Sequence, residues 1–199
     1  KGRIYSGGNR AGKTVGGACE SVMWLTGKHP LYSKEFPPPV RGRAVGVDFD
    51  HGIDKIILPE IQKWLGPDDL IDGKWEKSYH KPTRTLTLKN GSTLEFMSYD
   101  QDVNKFVGTS RHFTWFDEEA PENIFNECLA RLIDTHGHWW MTVTPLQDFS
   151  WLADLFEMVA NDEVEWVEII EVMTLENPHI SSEGLEQNLF NVDEDERKA

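Results

Sequence analysis

An eight-residue run near the start of the chain has the residue types and spacing of a phosphate-binding loop. The run Gly7-Gly8-Asn9-Arg10-Ala11-Gly12-Lys13-Thr14 matches the pattern G-x-x-x-x-G-K-[ST] without a gap. Glycines let backbone amides turn inward around phosphate oxygens, and a helix starting near Lys13 adds its positive N-terminal end. We expect the Lys13 ammonium to bind the β- and γ-phosphates and the Thr14 hydroxyl to bind Mg²⁺. The loop therefore predicts a site for ATP and Mg²⁺.

Arg10, inside this loop, has two interpretations. Its guanidinium can reach the γ-phosphate and stabilise the charge that develops during hydrolysis, which would make it catalytic. It can equally be a surface arginine that pairs with a nearby acid. The sequence leaves both open.

An apolar segment, His112 to Phe116, ends in three consecutive acids, Asp117, Glu118 and Glu119. Like charges in a row are costly unless a cation balances them, and Mg²⁺ with ATP is such a partner. We predict that Asp117 holds the magnesium shell and that Glu118 is the general base for the attacking water. Glu119 is assigned to the start of the next helix. The alternative is that these acids only favour a helix N-terminus.

A second apolar segment, Trp139 to Val143, ends in small hydroxyl residues and a proline. Ligands of α/β sheets bind at the carboxyl ends of strands, so Thr142 and Thr144 are candidates for sensing the γ-phosphate water and relaying its loss. An ordinary strand end is the alternative. The polar loop Asn104–Arg111 offers Lys105 and Arg111 as cations for the γ-phosphate of a neighbouring subunit, or else is a solvated loop.

Strands and helices alternate along most of the chain and must position these segments. Strands are predicted at Arg3–Ser6, Arg43–Phe49, His112–Phe116, Trp139–Val143 and Val164–Val172. Helices are predicted at Lys13–Thr26, Gly52–Leu65 with a bend or a break expected at Pro59, Pro121–Leu132, Trp151–Val159 and Ser181–Phe190. Asn90-Gly91, between two segments that alternate with period two, predicts a β-hairpin within about residues 75–98. The pattern indicates an α/β fold with a mostly parallel sheet and an inserted hairpin.

Length and composition narrow the function classes. The 199 residues suffice for one domain, predicted at 1–192 and followed by an acidic, frayed tail at 193–199. No apolar run reaches the roughly 20 residues needed to span a bilayer. The two cysteines form no disulfide framework and no metal quartet, which fits a reducing compartment.

Charge is divided unevenly along the chain. Of the net −14, residues 146–199 carry −13, from 15 acids and 2 bases. This acidic part is either a solvated surface or a face that docks a basic partner. Because a net basic footprint is missing, we expect any DNA contact to be a local patch or loop, or to lie in a part of the protein outside this chain. Its candidate contributors are Arg84, Lys89, Lys105 and Arg111. The Asn90-Gly91 hairpin is either a protrusion that contacts DNA or, the favoured alternative, a decoration of the surface.

The ordered motifs resemble the ATPase domain of the large terminase subunit, the DNA-packaging motor of tailed bacteriophages. The resemblance is carried by the phosphate loop, Trp115-Phe116-Asp117-Glu118-Glu119, Thr142-Val143-Thr144-Pro145 and Glu176-Asn177-Pro178, together with Arg43–Asp48 and Phe106-Val107-Gly108. It implies a phosphate-loop NTPase fold of the ASCE or RecA-like group. In that group an additional strand, here the one ending at Thr142–Pro145, lies between the phosphate-loop strand and the acidic strand.

The same resemblance implies a function and partners. Such motors form a homo-oligomeric ring on the portal protein of a procapsid, work with a small terminase subunit and pull double-stranded DNA inward by ATP hydrolysis in the host bacterial cytoplasm, with no membrane. It implies that Arg10 acts on its own subunit's nucleotide and that Lys105 or Arg111 acts on the neighbour's. The family's upstream adenine-contacting segment and C-terminal nuclease find no counterpart here. We therefore expect no nuclease activity, and a chain that can be monomeric in isolation.

Two other functions remain open. A helicase-like DNA translocase uses the same loop and a similar acidic motif, but needs a second RecA-like domain. A nucleotide-gated docking module of a portal-associated ring would bind ATP with little turnover. Glu118 favours an enzyme over such a module, because it supplies a base.

Overall fold

The computed structural model describes residues 1–144, 150–174 and Asn177. Within them lie eight strands: β1 (Gly2–Gly7), β2 (Arg41–Gly46), β3 (Tyr79–His80), β4 (Thr85–Thr87), β5 (Thr93–Ser98), β6 (Phe113–Asp117), β7 (His138–Val143) and β8 (Val167–Val172). The α-helices there are α1 (Lys13–Thr26), α2 (Leu58–Trp64), α3 (Trp75–Ser78), α4 (Glu122–Ala130) and α5 (Trp151–Ala160). The predicted helix at 181–190 and the predicted tail at 193–199 lie outside the described residues.

The strands form one mixed sheet in the order β3-β4-β5-β2-β6-β7-β1-β8. The six strands from β5 to β8 in that order are parallel, and β3 and β4 are antiparallel additions at one edge. The expected additional strand is present, because β7 pairs with β1 on one side and with β6 on the other. The predicted fold, a mostly parallel phosphate-loop sheet, is therefore confirmed.

Helices cover both faces of the sheet. Successive residues of a strand point to opposite faces, so Ala44 and Val45 of β2 enter different cores. One core packs α1 and α2 against the sheet, and the other packs α4 and α5 against it. In the part of the chain that the structure describes, no helix is both long and apolar enough to cross a membrane.

The hairpin is present, but its second strand belongs to the main sheet. β5 pairs antiparallel with β4 and parallel with β2, and four of its six residues are buried. Its turn does not protrude, because the Asn90 side-chain amide donates a hydrogen bond to the Leu25 carbonyl at 2.8 Å. Gly91 has a φ of 85°, which glycine adopts without strain. The hairpin thus widens the sheet instead of decorating it.

The helix predicted at Gly52–Leu65 lies within a continuous helical segment that changes from a π-helix to an α-helix. Asp48 caps the first, a π-helix over Phe49–Ile57, by accepting hydrogen bonds from the His51 and Gly52 amides. The second is α2, which has Pro59 in its first turn. Proline is tolerated there because the first turn's amides have no partner within the helix. The backbone stays helical through the junction at Ile57 and Leu58, so the helix changes type next to Pro59 without a break. The π-helical part was not predicted.

Shorter helical turns connect these elements. They are 3₁₀ turns at Pro67–Asp69, Ile71–Gly73, Lys81–Thr83, Val103–Lys105 and Ile133–Thr135. The turn at Val103–Lys105 begins at Asp102, whose carboxylate accepts a hydrogen bond from the Asn104 amide at 2.8 Å. It places Lys105 in the connection between β5 and β6.

His138 makes the stability of the fold depend on pH. The residue is 5% exposed and its ring lies 4.6 Å from that of Tyr32 and 5.2 Å from that of Trp24, measured between centroids. Burial lowers the pKa of His138 to about 4, with the positive charges of Arg3 and Lys1 adding to the effect. The folded state therefore binds fewer protons than the unfolded chain between the two pKa values, and stability falls as pH falls through that window.

We expect His138→Phe to remove this dependence. Phenylalanine retains the ring packing and has no proton to gain. Between pH 7 and pH 4 the parent should lose about 2 to 3 kcal/mol of unfolding free energy at this site, as expected from the pKa shift of His138. Urea denaturation at the two pH values measures the difference. An equal pH slope in parent and variant would contradict it.

Candidate active site

The phosphate-loop residues lie between β1 and α1, as predicted. Two residues have left-handed backbone conformations, Arg10 with φ 65° and Gly12 with φ 92°. Glycine is required at position 7, because a Cβ there would lie 2.0 Å from the Val172 carbonyl oxygen of β8. The chain thus leaves β1, turns tightly and enters α1 at Lys13, so the first amides of α1 face the inside of the loop.

The Lys13 ammonium lies inside this turn. It donates hydrogen bonds to the carbonyls of Gly7 at 2.7 Å and Gly8 at 2.8 Å, and the residue is 8% exposed. Burial lowers the pKa of Lys13, and the negative charges of Glu118 and Asp117 act in the opposite direction. A cation is therefore fixed at the centre of a loop with the geometry for binding phosphate.

Asp117, the last residue of β6, contacts the phosphate loop directly. Its Oδ1 accepts hydrogen bonds from the Thr14 hydroxyl at 3.0 Å and from the Thr142 hydroxyl at 2.7 Å. Burial raises the pKa of Asp117 to about 6, against the opposing effect of the two hydroxyl groups. The predicted metal ligands Thr14 and Asp117 are therefore adjacent, and the predicted coupling residue Thr142 touches one of them.

Trp115 determines the direction of the hydrogen bond between Thr142 and Asp117. Its indole Nε1 donates to the Thr142 hydroxyl at 2.9 Å, and an indole N–H cannot accept. The one hydrogen of Thr142 is thus directed to Asp117, 2.7 Å away, in preference to the Phe116 carbonyl at 3.3 Å. The same indole lies against α1, where a Cβ on Gly17 would lie 2.4 Å from the Trp115 ring.

Glu118 connects the end of β6 to the end of β7. Its amide donates to the Thr142 carbonyl at 2.9 Å, and its Oε2 accepts from the Thr144 amide at 3.1 Å. The Thr144 hydroxyl lies 3.5 Å from Oδ1 of Asn9 in the phosphate loop. Both predicted coupling threonines therefore lie between the acids and the loop. Pro145, which follows them, lies outside the described residues.

The chain after β8 also contacts the loop. The Thr174 hydroxyl donates to the Asn9 carbonyl at 3.0 Å, and the Asn177 side-chain amide donates to the Arg10 carbonyl at 2.7 Å. Sequence reasoning identified Asn177 only as part of a motif and missed Thr174. The other residues of that motif, Glu176 and Pro178, lie outside the described residues.

Tyr99 is a second residue that sequence reasoning missed. Its hydroxyl donates to the carbonyls of Glu118 at 3.0 Å and Asp117 at 3.3 Å. Burial raises the pKa of Tyr99 well above its usual range, and the nearby charge of Asp117 adds to this effect. Tyr99 directly follows β5, so its place at the carboxyl edge of a parallel strand was the available signal.

The three remaining candidate cations differ in their surroundings. The Arg10 side chain is exposed and forms no hydrogen bond or ion pair with the described residues. Lys105 is exposed in the turn Val103–Lys105. Arg111 pairs with Glu95 at 2.7 Å. It precedes β6 and therefore lies at the amino end of that strand, whereas Asp117 lies at its carboxyl end. The structure therefore does not bring Arg111 to the phosphate loop of its own chain.

The two other candidates for DNA contact lie near the hairpin. Arg84 pairs with Asp54 at 2.6 Å, and its guanidinium carbon lies 4.0 Å from the centre of the Phe49 ring. Lys89 is exposed next to the Asn90-Gly91 turn. Part of the Arg84 charge is thus already neutralised within the chain.

Three comparisons with known proteins agree with one another. Residues 65–199 match the family model described as terminase large subunit, T4likevirus-type, N-terminal. The terminase large subunit of Salmonella phage P22 is 25% identical over an alignment 232 residues long, which covers 99% of this chain and 46% of the P22 protein.

Solved structures of the large terminase from a thermophilic bacteriophage share the fold. One crystal form superposes with a TM-score of 0.75 at 17% identity, covering 96% of this chain and 45% of the thermophilic phage's chain. The ADP complex gives a TM-score of 0.73 at 19% identity, with the same coverage. The ATP-gamma-S complex gives 0.71 at 18% identity, covering 96% and 44%. This chain spans slightly less than half the length of these relatives.

Proposed function

The chain belongs to the terminase large subunit family, and we propose that it is an ATPase that powers translocation of double-stranded viral DNA into a procapsid. The observation that carries the proposal is the 3.0 Å contact between the Thr14 hydroxyl and the Asp117 carboxylate. It joins the phosphate loop to the acidic strand, the two parts from which phosphoryl-transfer sites of this class are built. The thermophilic phage terminase structures with ADP and ATP-gamma-S support it, since these neighbours bind nucleotide.

The donor set around Asp117 fits a magnesium ion. Magnesium prefers carboxylate, hydroxyl and phosphate oxygens, and Thr14 and Asp117 present two such atoms side by side. When bound, Mg²⁺ neutralises charge on the β- and γ-phosphates. Asp117 would hold it in its ionised form, which burial makes costly without a cation.

Each remaining residue of the site takes one role. The loop amides of residues 7–14 and the Lys13 ammonium bind the phosphates. Glu118 accepts a proton from the water that attacks the γ-phosphate. Arg10, exposed beside the loop, stabilises the charge that develops on the transferred group.

Thr142 and Thr144 couple the site to the rest of the sheet. Thr144 donates its amide to Glu118, and Thr142 donates its hydroxyl to Asp117. A change in the position of either carboxylate on loss of the γ-phosphate therefore reaches the end of β7 through one hydrogen bond. We assign these two residues the relay from hydrolysis to movement.

Function as a motor requires partners outside this chain. These are double-stranded DNA, the portal protein of the procapsid, the small terminase subunit and further copies of the chain in a ring. The proposed motor works in the host cell cytoplasm. In the ring, Lys105 or Arg111 supplies a cation to the neighbouring site. These partners are proposed from membership of the terminase large subunit family, whose relatives named above are about twice as long as this chain.

Lys13→Ala tests nucleotide binding at the loop. We expect ATP affinity to fall about a hundredfold, because charge-assisted hydrogen bonds to phosphate are lost. Lys28→Ala is the matched control, since Lys28 follows α1 at its opposite end and pairs with Asp69 on the surface. Calorimetric titration with ATP and Mg²⁺ measures both. Equal affinities of the parent and Lys13→Ala would place the nucleotide elsewhere.

A further inference from the structure

Glu118 has an unusual backbone conformation for its residue type. Its φ is 66°, in the left-handed region that L-residues with a side chain rarely adopt. Such strain persists only where surrounding contacts determine it, and it concentrates at functional sites. The contacts that hold Glu118 therefore bear on its chemistry.

The left-handed turn brings two carboxylates to one edge of the sheet. In an extended strand, successive side chains point to opposite faces. At the end of β6, however, Asp117 reaches Thr14 of the phosphate loop while Glu118, the next residue, reaches the Thr144 amide beside the same loop. The backbone turn at Glu118 is what permits both contacts at once.

Two hydrogen bonds hold the turn from opposite sides. On one side the Glu118 amide donates to the Thr142 carbonyl of β7 at 2.9 Å. On the other, the Tyr99 hydroxyl donates to the Glu118 carbonyl at 3.0 Å and lies 3.3 Å from the Asp117 carbonyl. Tyr99 is itself anchored, because its amide donates to the Gly46 carbonyl at the end of β2.

We propose that Tyr99 is a positioning residue for hydrolysis, whose hydroxyl holds the Glu118 peptide in the left-handed turn that aims the general base. Tyr99 lies outside the phosphate loop, the acidic strand and the β7 threonines, and it acts through Glu118 without touching the nucleotide. This inference rests on the proposed ATPase function for its kinetic consequence. The backbone consequence at Glu118 does not depend on hydrolysis.

Tyr99→Phe removes only the hydroxyl. We expect kcat for ATP to fall about fivefold to tenfold with KM unchanged, since one hydrogen bond of this kind corresponds to roughly that factor in an equilibrium. Tyr79→Phe is the matched control: Tyr79 is a partly buried tyrosine stacked on Trp75 in the hairpin region, remote from β6. It should keep the parent's kcat.

A double variant separates positioning from general destabilisation. If Tyr99 acts through the Glu118 carboxylate, adding Tyr99→Phe to Glu118→Gln should leave the residual rate unchanged. A residue that only stabilises the fold would lower the rate by the same factor in both backgrounds. That second result would overturn the proposal.

Hydrogen exchange at the Glu118 amide tests the backbone claim without nucleotide. We expect exchange of this amide, measured by NMR, to be about fivefold faster in Tyr99→Phe than in Tyr79→Phe or the parent. Faster exchange in a chain that does not hydrolyse ATP would support the role of Tyr99 and refute the ATPase function. Unchanged exchange with unchanged kcat would refute the role of Tyr99 alone.

Discussion

Replacing Glu118 by glutamine is expected to lower ATP turnover about a thousandfold while leaving ATP binding within a factor of two or three. General-base catalysis contributes about 10²- to 10⁴-fold, and glutamine cannot accept the proton. The substitution retains shape and an oxygen that can accept from the Thr144 amide, so the contact at 3.1 Å is preserved. Steady-state phosphate release measures turnover, and calorimetry measures binding.

Glu119→Gln is the control for this experiment. Glu119 is adjacent, carries the same charge and precedes α4, and no catalytic role is assigned to it. Its variant should retain the parent's turnover. Undiminished hydrolysis by Glu118→Gln would show that another group activates the water.

Asp117→Asn is expected to stabilise the free protein at neutral pH and to abolish its response to Mg²⁺. The native pKa of Asp117, about 6, lies above the ordinary 3.8. Between these values the native state binds more protons than the unfolded chain, so the parent's free energy of unfolding falls as pH rises through the window. Asparagine keeps an oxygen for the Thr14 and Thr142 hydroxyls and carries no charge to desolvate.

The measurement is chemical denaturation of parent and variant at pH 8 and pH 4, without nucleotide. The stability advantage of Asp117→Asn at pH 8 should shrink by about 2 kcal/mol at pH 4, somewhat less than the full pKa shift because the unfolded carboxyl is still partly ionised there. At pH 8 with ATP already present, adding Mg²⁺ should stabilise the parent further and should not change the stability of the variant. Asp134→Asn, at an exposed position, is the control. Its stability should follow that of the parent at both pH values, and it should keep the response to Mg²⁺. A stability difference between the parent and Asp117→Asn that does not change with pH would show that burial of the Asp117 charge is not its cause.

Residues whose positions in the site depend on local spacing could be predicted from the sequence. The phosphate loop is contiguous, and the strand before it and helix after it follow from the residues on either side, so the predicted bounds of α1 match the structure. Asp117 and Glu118 were identified in the same way, because an apolar strand that ends in acids is a local pattern. The contact between Asp117 and Thr14 follows from the position of β6 and the phosphate loop at the shared carboxyl edge of parallel strands.

Contacts between distant strands were not predictable from spacing. The place of β7 between β1 and β6 came from the family resemblance, since strand order is not a local property. Tyr99 reaches Glu118 across 19 positions, and Trp115 reaches Thr142 across 27, so neither forms a motif. The apolar neighbours of Trp115 in the sequence predict a buried ring, and the ring is buried, but they do not indicate a partner for its N–H group.

The hairpin shows a different limit. Alternation with period two and Asn90-Gly91 predict two antiparallel strands, and both are present. The pattern describes only one edge of each strand, however. Pairing of β5 with β2 on the other edge depends on a partner about 50 residues earlier, whose Arg43 carries a buried charge that reaches Glu95 at 2.9 Å.

Phosphate release from ATP, measured at saturating ATP and Mg²⁺ over a range of chain concentrations, tests most directly that this chain is an ATPase whose sites are completed between copies. We predict release that disappears in Lys13→Ala, and a specific activity that rises with concentration as neighbouring copies supply Lys105 or Arg111. Binding of ATP without phosphate release at any concentration would contradict the ATPase function and favour a nucleotide-gated docking module.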